Sequence, residues 1–142
     1  MGAPSFNWID YLTLARALSA NADEASQRSA ISRAYYSAFH AGTLHAKPNG
    51  YNERNHGRLW KMYHADANLN AKRISVLGNQ MKEAREEADY VAQVPRIADV
   101  MTAQLATAAQ FATVLAQVPA TSPQLLPPNP PRACQNCGAV QT

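Results

Sequence analysis

The stretch that decides the fold reads RSAISRAYYSAFHAG and runs from residue 28 to residue 42. One face of it carries apolar and small residues three and four positions apart, the period of an α-helix, at Ile31, Tyr35, Ala38 and Gly42. On the opposite side, Arg33, Tyr36 and His40 fall within about 60° of one another at about 100° per residue. The stretch therefore predicts a helix that buries one face and presents an Arg–Tyr–His face on the other.

The segments around this helix repeat the same period. We predict five helices, at about residues 6–20, 24–46, 54–65, 70–89 and 95–118. Asn21 and Glu24 are compatible with a capping box for the second helix, and Pro95 suits the first turn of the last one. Gly78 weakens the helical pattern of the fourth. No segment alternates as a strand does, so the expected fold class is all-α, an antiparallel four- to five-helix bundle.

Length and composition narrow the class of protein. The chain has 142 residues, which fits one domain, and a formal net charge of +3. No run reaches the roughly 18 consecutive apolar residues that a membrane-spanning helix needs. Two cysteines are too few for a disulfide framework. We therefore expect a cytoplasmic protein with no membrane segment.

The positive charge is concentrated in the middle of the chain. Residues 28–73 hold eight basic and two acidic side chains, a net charge of +6, whereas residues 1–27 and 74–118 each carry −2. The central block also contains every histidine of the chain, at positions His40, His45, His56 and His64. Such a block suits an anionic partner, either RNA or a nucleotide phosphate, although a solvated basic face has the same composition.

Proline marks the end of the predicted domain. Six of the nine prolines fall in residues 119–131, where a helix cannot continue. We predict a helical domain over residues 1–118 and an extended or disordered Pro-rich tail over residues 119–142. Cys134 and Cys137 in this tail either have no defined role or supply at most half of a zinc site, because structural zinc takes four ligands. They are weak candidates that a second tail or histidines would have to complete, so no metal and no cofactor are expected.

Two motifs resemble those of HEPN domains (higher eukaryotes and prokaryotes nucleotide-binding). The run SRAYYSAFHA at residues 32–41 is similar to the second-helix signature of the branch that carries Arg-x-Tyr-Tyr-x-x-Phe. The run REEADY at residues 85–90 resembles the Arg-x-x-Ala-Asp-Tyr motif of that branch. Between the two motifs, His56 lies where members often carry a histidine after a turn. The resemblance covers about residues 7–118 and implies a HEPN-like helical bundle.

The resemblance also implies a function. Many HEPN proteins are metal-independent endoribonucleases, often toxins of toxin–antitoxin or phage-defence modules. They commonly act as homodimers and pair with a nucleotidyltransferase-type antitoxin. Their usual signature is an arginine, a polar residue and a histidine after four to six intervening residues. Arg33 and His40 have this spacing with Ala34 in the polar position, and Arg58 and His64 have it with Leu59 there.

Residue roles follow from the resemblance together with the chemistry of RNA cleavage. We expect His40 to act as general acid or base, Arg33 to bind the phosphate and Tyr36 to orient the substrate through its hydroxyl. Five further residues are expected to contact the nucleic acid: Arg54, His56, Arg58, Lys61 and Arg85.

Two alternatives to these roles remain open. In the first, Arg33 pairs with a carboxylate between helices and His40 is a surface residue. Asp89 is the candidate for this carboxylate. We expect it to form a structural ion pair with either Arg85, one turn away, or Arg33. In the second alternative, the protein is a non-catalytic nucleotide-binding, RNA-binding or scaffold subunit that engages a nucleotidyltransferase-type partner.

Overall fold

The computed structural model describes residues 4–125, and in that range the chain forms five α-helices and no strand. The helices are α1 (Asp10–Ser19), α2 (Glu24–Ala46), α3 (His56–Ala65), α4 (Leu69–Tyr90) and α5 (Ile97–Leu115). Helix α2 packs against α1, α4 and α5, while α3 packs mainly against α4. The prediction of an all-α bundle is confirmed. None of the helices in this part of the chain is long and apolar enough to cross a membrane.

Side-chain caps explain where three of the helices begin. The carboxylate of Asp23 accepts the backbone N–H of Ser26 at 2.9 Å before α2. The side-chain oxygens of Asn55 and Asn68 accept the equivalent N–H groups before α3 and α4. Each cap satisfies a donor that has no partner within the helix. The predicted capping box starting at Asn21 is therefore wrong, because Asp23 stands closer to the first turn and takes that role.

The starting residues of two helices, α1 and α5, also differ from the prediction. Helix α1 begins at Asp10, so the segment from Phe6 to Ile9 approaches it without being helical. Pro95 lies outside α5, because Arg96 has a φ of 56° and only the following residue begins the helix. A left-handed conformation is uncommon for arginine and cannot continue a right-handed helix.

The fourth helix runs through Gly78 without a break. The indole of Trp60 on α3 lies directly against this glycine, and a Cβ added to Gly78 would be 2.6 Å from the ring. Trp60 is 1% exposed and also contacts Gly42 of α2. Gly78 is thus a packing position and does not interrupt the helix, because the i→i−4 bonding of the backbone needs no side chain.

The chain after α5 continues along the bundle past the predicted boundary at residue 118. The carbonyl oxygen of Pro119 accepts from His45 at 3.1 Å, and the carboxylate of Asp66 accepts the backbone N–H of Gln124 at 3.0 Å. Residues 119–124 therefore contact the domain. The remainder of the Pro-rich tail, with Cys134 and Cys137, lies outside the described residues.

Candidate functional site

The Arg–Tyr–His face of α2 lies under the N-terminal segment and α1. The guanidinium carbon of Arg33 is 4.7 Å from the ring centre of Tyr11 and 5.0 Å from that of Tyr36. Both distances are within the range of cation–π interactions. Within residues 4–125, no carboxylate lies at ion-pair distance from Arg33. This half-buried cation is therefore held by two aromatic rings and keeps its charge available to an anion.

The carboxylate of Asp89 faces Arg85 instead of Arg33. Nη1 of Arg85 is 3.7 Å from Oδ2 of Asp89, and the hydroxyl of Ser32 donates to the same oxygen at 3.2 Å. Arg85 is 8% exposed, and its Nε has no hydrogen-bond partner among the described residues. Its guanidinium carbon lies 5.5 Å from the ring centre of Tyr36. Arg85 is thus mostly enclosed behind the Arg–Tyr–His face, with little surface for nucleic acid.

A groove of about 680 Å³ opens between α2, the loop that follows it and the start of α3. We call it the α2–α3 groove. His40 lines it from α2 and His56 lines it from α3, so the fold brings together two histidines that are 16 positions apart in the sequence. Aromatic rings and basic side chains line the same groove: Trp8, Tyr36, Phe39, Lys47 and Arg54.

Both histidines are held by aromatic stacking. The ring of His40 is stacked on Trp8 with centroids 3.5 Å apart, and the ring of His56 is stacked on Phe39 at 3.9 Å. The hydroxyl of Tyr35 lies 2.6 Å from Nδ1 of His56. Stacking fixes the plane of each ring, and the contact with Tyr35 also fixes which edge of His56 faces the core.

The environment lowers the pKa of both histidines. Burial lowers the pKa of His40, and the positive charge of Arg33 adds to the effect. Burial also lowers the pKa of His56, with further contributions from Arg85 and Lys82. Both imidazoles are therefore neutral at pH 7, the form in which a histidine accepts a proton.

The remaining residues of the predicted site are distributed more widely. Arg58 forms an ion pair with Glu53 at the edge of the α2–α3 groove. Lys61 is exposed on α3. His64 is exposed at the end of α3, where the hydroxyl of Ser75 is 3.4 Å from its Nδ1. The pair of Arg58 and His64 thus lacks the enclosed setting that surrounds Arg33 and His40.

Sequence reasoning missed the aromatic residues that α1 and its N-terminal approach contribute. The pattern predicts a helix that includes both Trp8 and Tyr11, and it assigns neither residue to the site. The available signal was the density of rings at Phe6, Trp8 and Tyr11, which contact one another at centroid distances of 4.9–5.5 Å. An aromatic cluster beside a basic helix indicates a surface that can stack on bases.

No family model, curated protein or solved structure matches this chain. Residues 4–125 also contain no group of three or more His, Cys, Asp or Glu side chains placed to hold a metal ion.

The coupling between Arg33 and His40 gives a first test of the site. We expect Arg33→Gln to raise the pKa of His40, because removing the neighbouring positive charge makes the charged imidazolium less costly. The pKa is measured by following the Hε1 resonance of His40 during a pH titration. In the wild-type protein we expect a value below 6.5.

Arg73→Gln is the matched control for this titration. It removes the same charge from an exposed position on α4, and Arg73 is not among the groups that shift the pKa of His40. We expect it to leave the titration of His40 unchanged. An equal response to both variants, or no response to Arg33→Gln, would contradict the electrostatic coupling between Arg33 and His40.

Proposed function

We propose that this protein is a HEPN-like, metal-independent endoribonuclease that cleaves RNA in the α2–α3 groove. The observation that carries the proposal is the state of Arg33. It does not line the groove itself, but its charge acts on His40, which does. It is half-buried, lies against two tyrosine rings, and faces no carboxylate in the described part of the chain. An arginine that only joins helices together donates to a carboxylate or to backbone carbonyls, as Arg28 does at the end of α4, whereas one that binds a phosphate needs its donors unoccupied.

In the proposed reaction, His40, Arg33 and Tyr36 each have a separate role. Neutral His40 takes the proton of the RNA 2′-hydroxyl, and the 2′-oxygen then forms a bond to the adjacent phosphorus. The bond from phosphorus to the 5′-oxygen breaks, and that oxygen takes a proton from water. The hydroxide left behind takes up the proton from His40, which returns to its neutral form. The products are a 2′,3′-cyclic phosphate and a 5′-hydroxyl end. The guanidinium of Arg33 stabilises the negative charge that develops on the phosphate oxygens, and the Tyr36 hydroxyl orients the substrate.

The rest of the groove supplies groups that suit single-stranded RNA. Lys47 and Arg54 line the groove and offer positive charge for neighbouring phosphates. The resemblance to HEPN domains adds the expectation of a toxin or defence role, with a homodimer and a nucleotidyltransferase-type antitoxin as partners. A two-fold dimer would place two copies of this face across one cleft.

The test is cleavage in the absence of free metal ions. Purified protein, freed of any co-purifying partner, is incubated with tRNA and total RNA in the presence of a chelator. The proposal expects cleavage that survives chelation and leaves 2′,3′-cyclic phosphate ends. Intact RNA after prolonged incubation would contradict it, as would cleavage that stops when the chelator is added.

The stacking of Trp8 on His40 favours a second candidate function, that of a non-catalytic RNA-binding or nucleotide-binding subunit. With centroids only 3.5 Å apart, the indole covers one face of the imidazole and limits access to it. In a binding subunit, the groove would hold a nucleotide without transferring a proton. The cleavage assay separates the two functions, since a binding subunit retains RNA in a filter-binding assay and leaves it intact.

A further inference from the structure

Three side chains form a hydrogen-bonded chain that leads from the core to the α2–α3 groove. The indole Nε1–H of Trp60 donates to the hydroxyl oxygen of Tyr35 at 3.2 Å. That hydroxyl lies 2.6 Å from Nδ1 of His56, and His56 lines the groove. Tyr35 and Trp60 are 0% and 1% exposed. Buried polar groups of this kind need protein partners, and here each supplies the partner of the next.

The direction of each hydrogen bond follows from what the groups can do. An indole N–H can only donate, so the oxygen of Tyr35 accepts from Trp60. The hydroxyl then has its own proton to donate, and Nδ1 of His56 is the acceptor within reach. Burial raises the pKa of Tyr35, so the hydroxyl keeps this proton at any physiological pH. Nδ1 must therefore be unprotonated, which places the proton of the neutral ring on Nε2.

The surroundings oppose a second proton on His56. If Nδ1 also carried a proton, this N–H and the Trp60 N–H would both point at the Tyr35 oxygen. The proton of the tyrosine hydroxyl would then have no acceptor. The charged groups that face the ring are Arg85 and Lys82 of α4, opposed by Glu86 of the same helix, and His40 of α2 adds a further cost when protonated. A net positive environment disfavours the imidazolium.

We propose that His56 is a neutral hydrogen-bond donor whose Nε2–H binds a phosphate oxygen in the α2–α3 groove, and that Tyr35 and Trp60 are the positioning residues that fix this tautomer. The inference rests on the proposed function and deepens it. It names phosphate as the group that His56 binds, and it leaves proton transfer to His40 alone. A neutral donor binds an anion without taking up a proton, so its contribution does not depend on pH near neutrality.

The first experiment measures the tautomer directly in the full chain. Long-range ¹H–¹⁵N correlation spectra at pH 7 distinguish an unprotonated Nδ1 from an unprotonated Nε2. We expect His56 to be in the Nε2–H form in the wild-type protein and to become a mixture of tautomers in Tyr35→Phe. A wild-type ring that is protonated on Nδ1, or charged at pH 7, would overturn the proposal.

The second experiment measures binding of adenosine 3′-monophosphate by two matched variants. His56→Gln keeps an N–H donor in the side chain but loses the ring, whereas His56→Phe keeps a ring that stacks on Phe39 but loses the donor. We expect His56→Phe to weaken binding about ten-fold or more, the usual effect of losing a hydrogen bond to a charged group. We expect His56→Gln to stay within about three-fold of the wild type, because the donor is retained.

Equal affinity of the two variants would overturn the proposal, as would the absence of binding to the wild-type protein. These readouts do not depend on RNA cleavage. If the tautomer and the phosphate binding are found as expected but RNA stays intact, the ribonuclease function fails while the phosphate site stands.

Discussion

We expect Gly78→Ala to lower the free energy of unfolding by about 2 kcal/mol or more, which corresponds to a melting temperature lower by roughly 8 °C. The new methyl group would lie 2.6 Å from the indole of Trp60. The indole is buried and is packed on its other sides as well. A Cβ added to Gly42 would lie 3.3 Å from it, and the ring centre of Phe111 is 5.8 Å from its own. The steric cost exceeds the roughly 1 kcal/mol that alanine gains over glycine in a helix.

Gly57→Ala is the control for this substitution. Gly57 lies in the first turn of α3, and a Cβ there would meet only the side-chain oxygen of Asn55, at 3.6 Å. We expect this variant to be as stable as the wild type or slightly more stable. Chemical denaturation of both variants checks the prediction. Equal stability of the two alanine variants would show that Trp60 is not packed as tightly as described.

We expect His40→Ala to reduce the rate of RNA cleavage by about a hundred-fold to ten-thousand-fold, the usual contribution of a general base. Because burial and the charge of Arg33 lower the pKa of His40, the rate in the wild-type protein should fall only as the pH drops below 6.5. The measurement is single-turnover cleavage across a pH series, with melting temperatures determined for each variant.

Two further variants distinguish chemistry from structure. His40→Phe keeps a flat ring against Trp8 without an ionisable nitrogen, so we expect it to be as inactive as His40→Ala while melting close to the wild type. His64→Ala removes an exposed histidine outside the α2–α3 groove, and we expect it to cleave normally. An inactive His64→Ala together with an active His40→Ala would place the catalytic site at the end of α3.

The fold could be predicted from periodicity because helices are local structures. The spacing of apolar residues places α2, α3 and α4 within about two residues of their positions in the structure. The errors fall at helix ends, where a single cap such as Asp23 or a single backbone angle such as that of Arg96 decides the boundary. The local pattern predicts a weak point of α4 at Gly78, because its packing partner, Trp60, lies on another helix and does not affect that pattern.

The site was predictable only in part, for the same reason. The helical period places Arg33, Tyr36 and His40 on one face, and the structure has them there. The contact between Tyr35 and His56 joins residues 21 positions apart on two helices, and no spacing rule reports such a contact. The stacking of Trp8 on His40 depends on a non-helical approach to α1 that the sequence pattern assigned to the helix itself.

The most direct test of the account is a nuclear magnetic resonance titration that uses all four histidines as reporters. A short RNA whose cleavage site carries a 2′-deoxy sugar binds without being cleaved, because it lacks the attacking hydroxyl. We predict that the Hε1 resonances of His40 and His56, which line the α2–α3 groove, shift together as this RNA is added. His45, which donates to the carbonyl of Pro119, and His64 should not respond. Shifts confined to His45 or His64, or no shift at any histidine, would contradict the assignment of this groove as the RNA site.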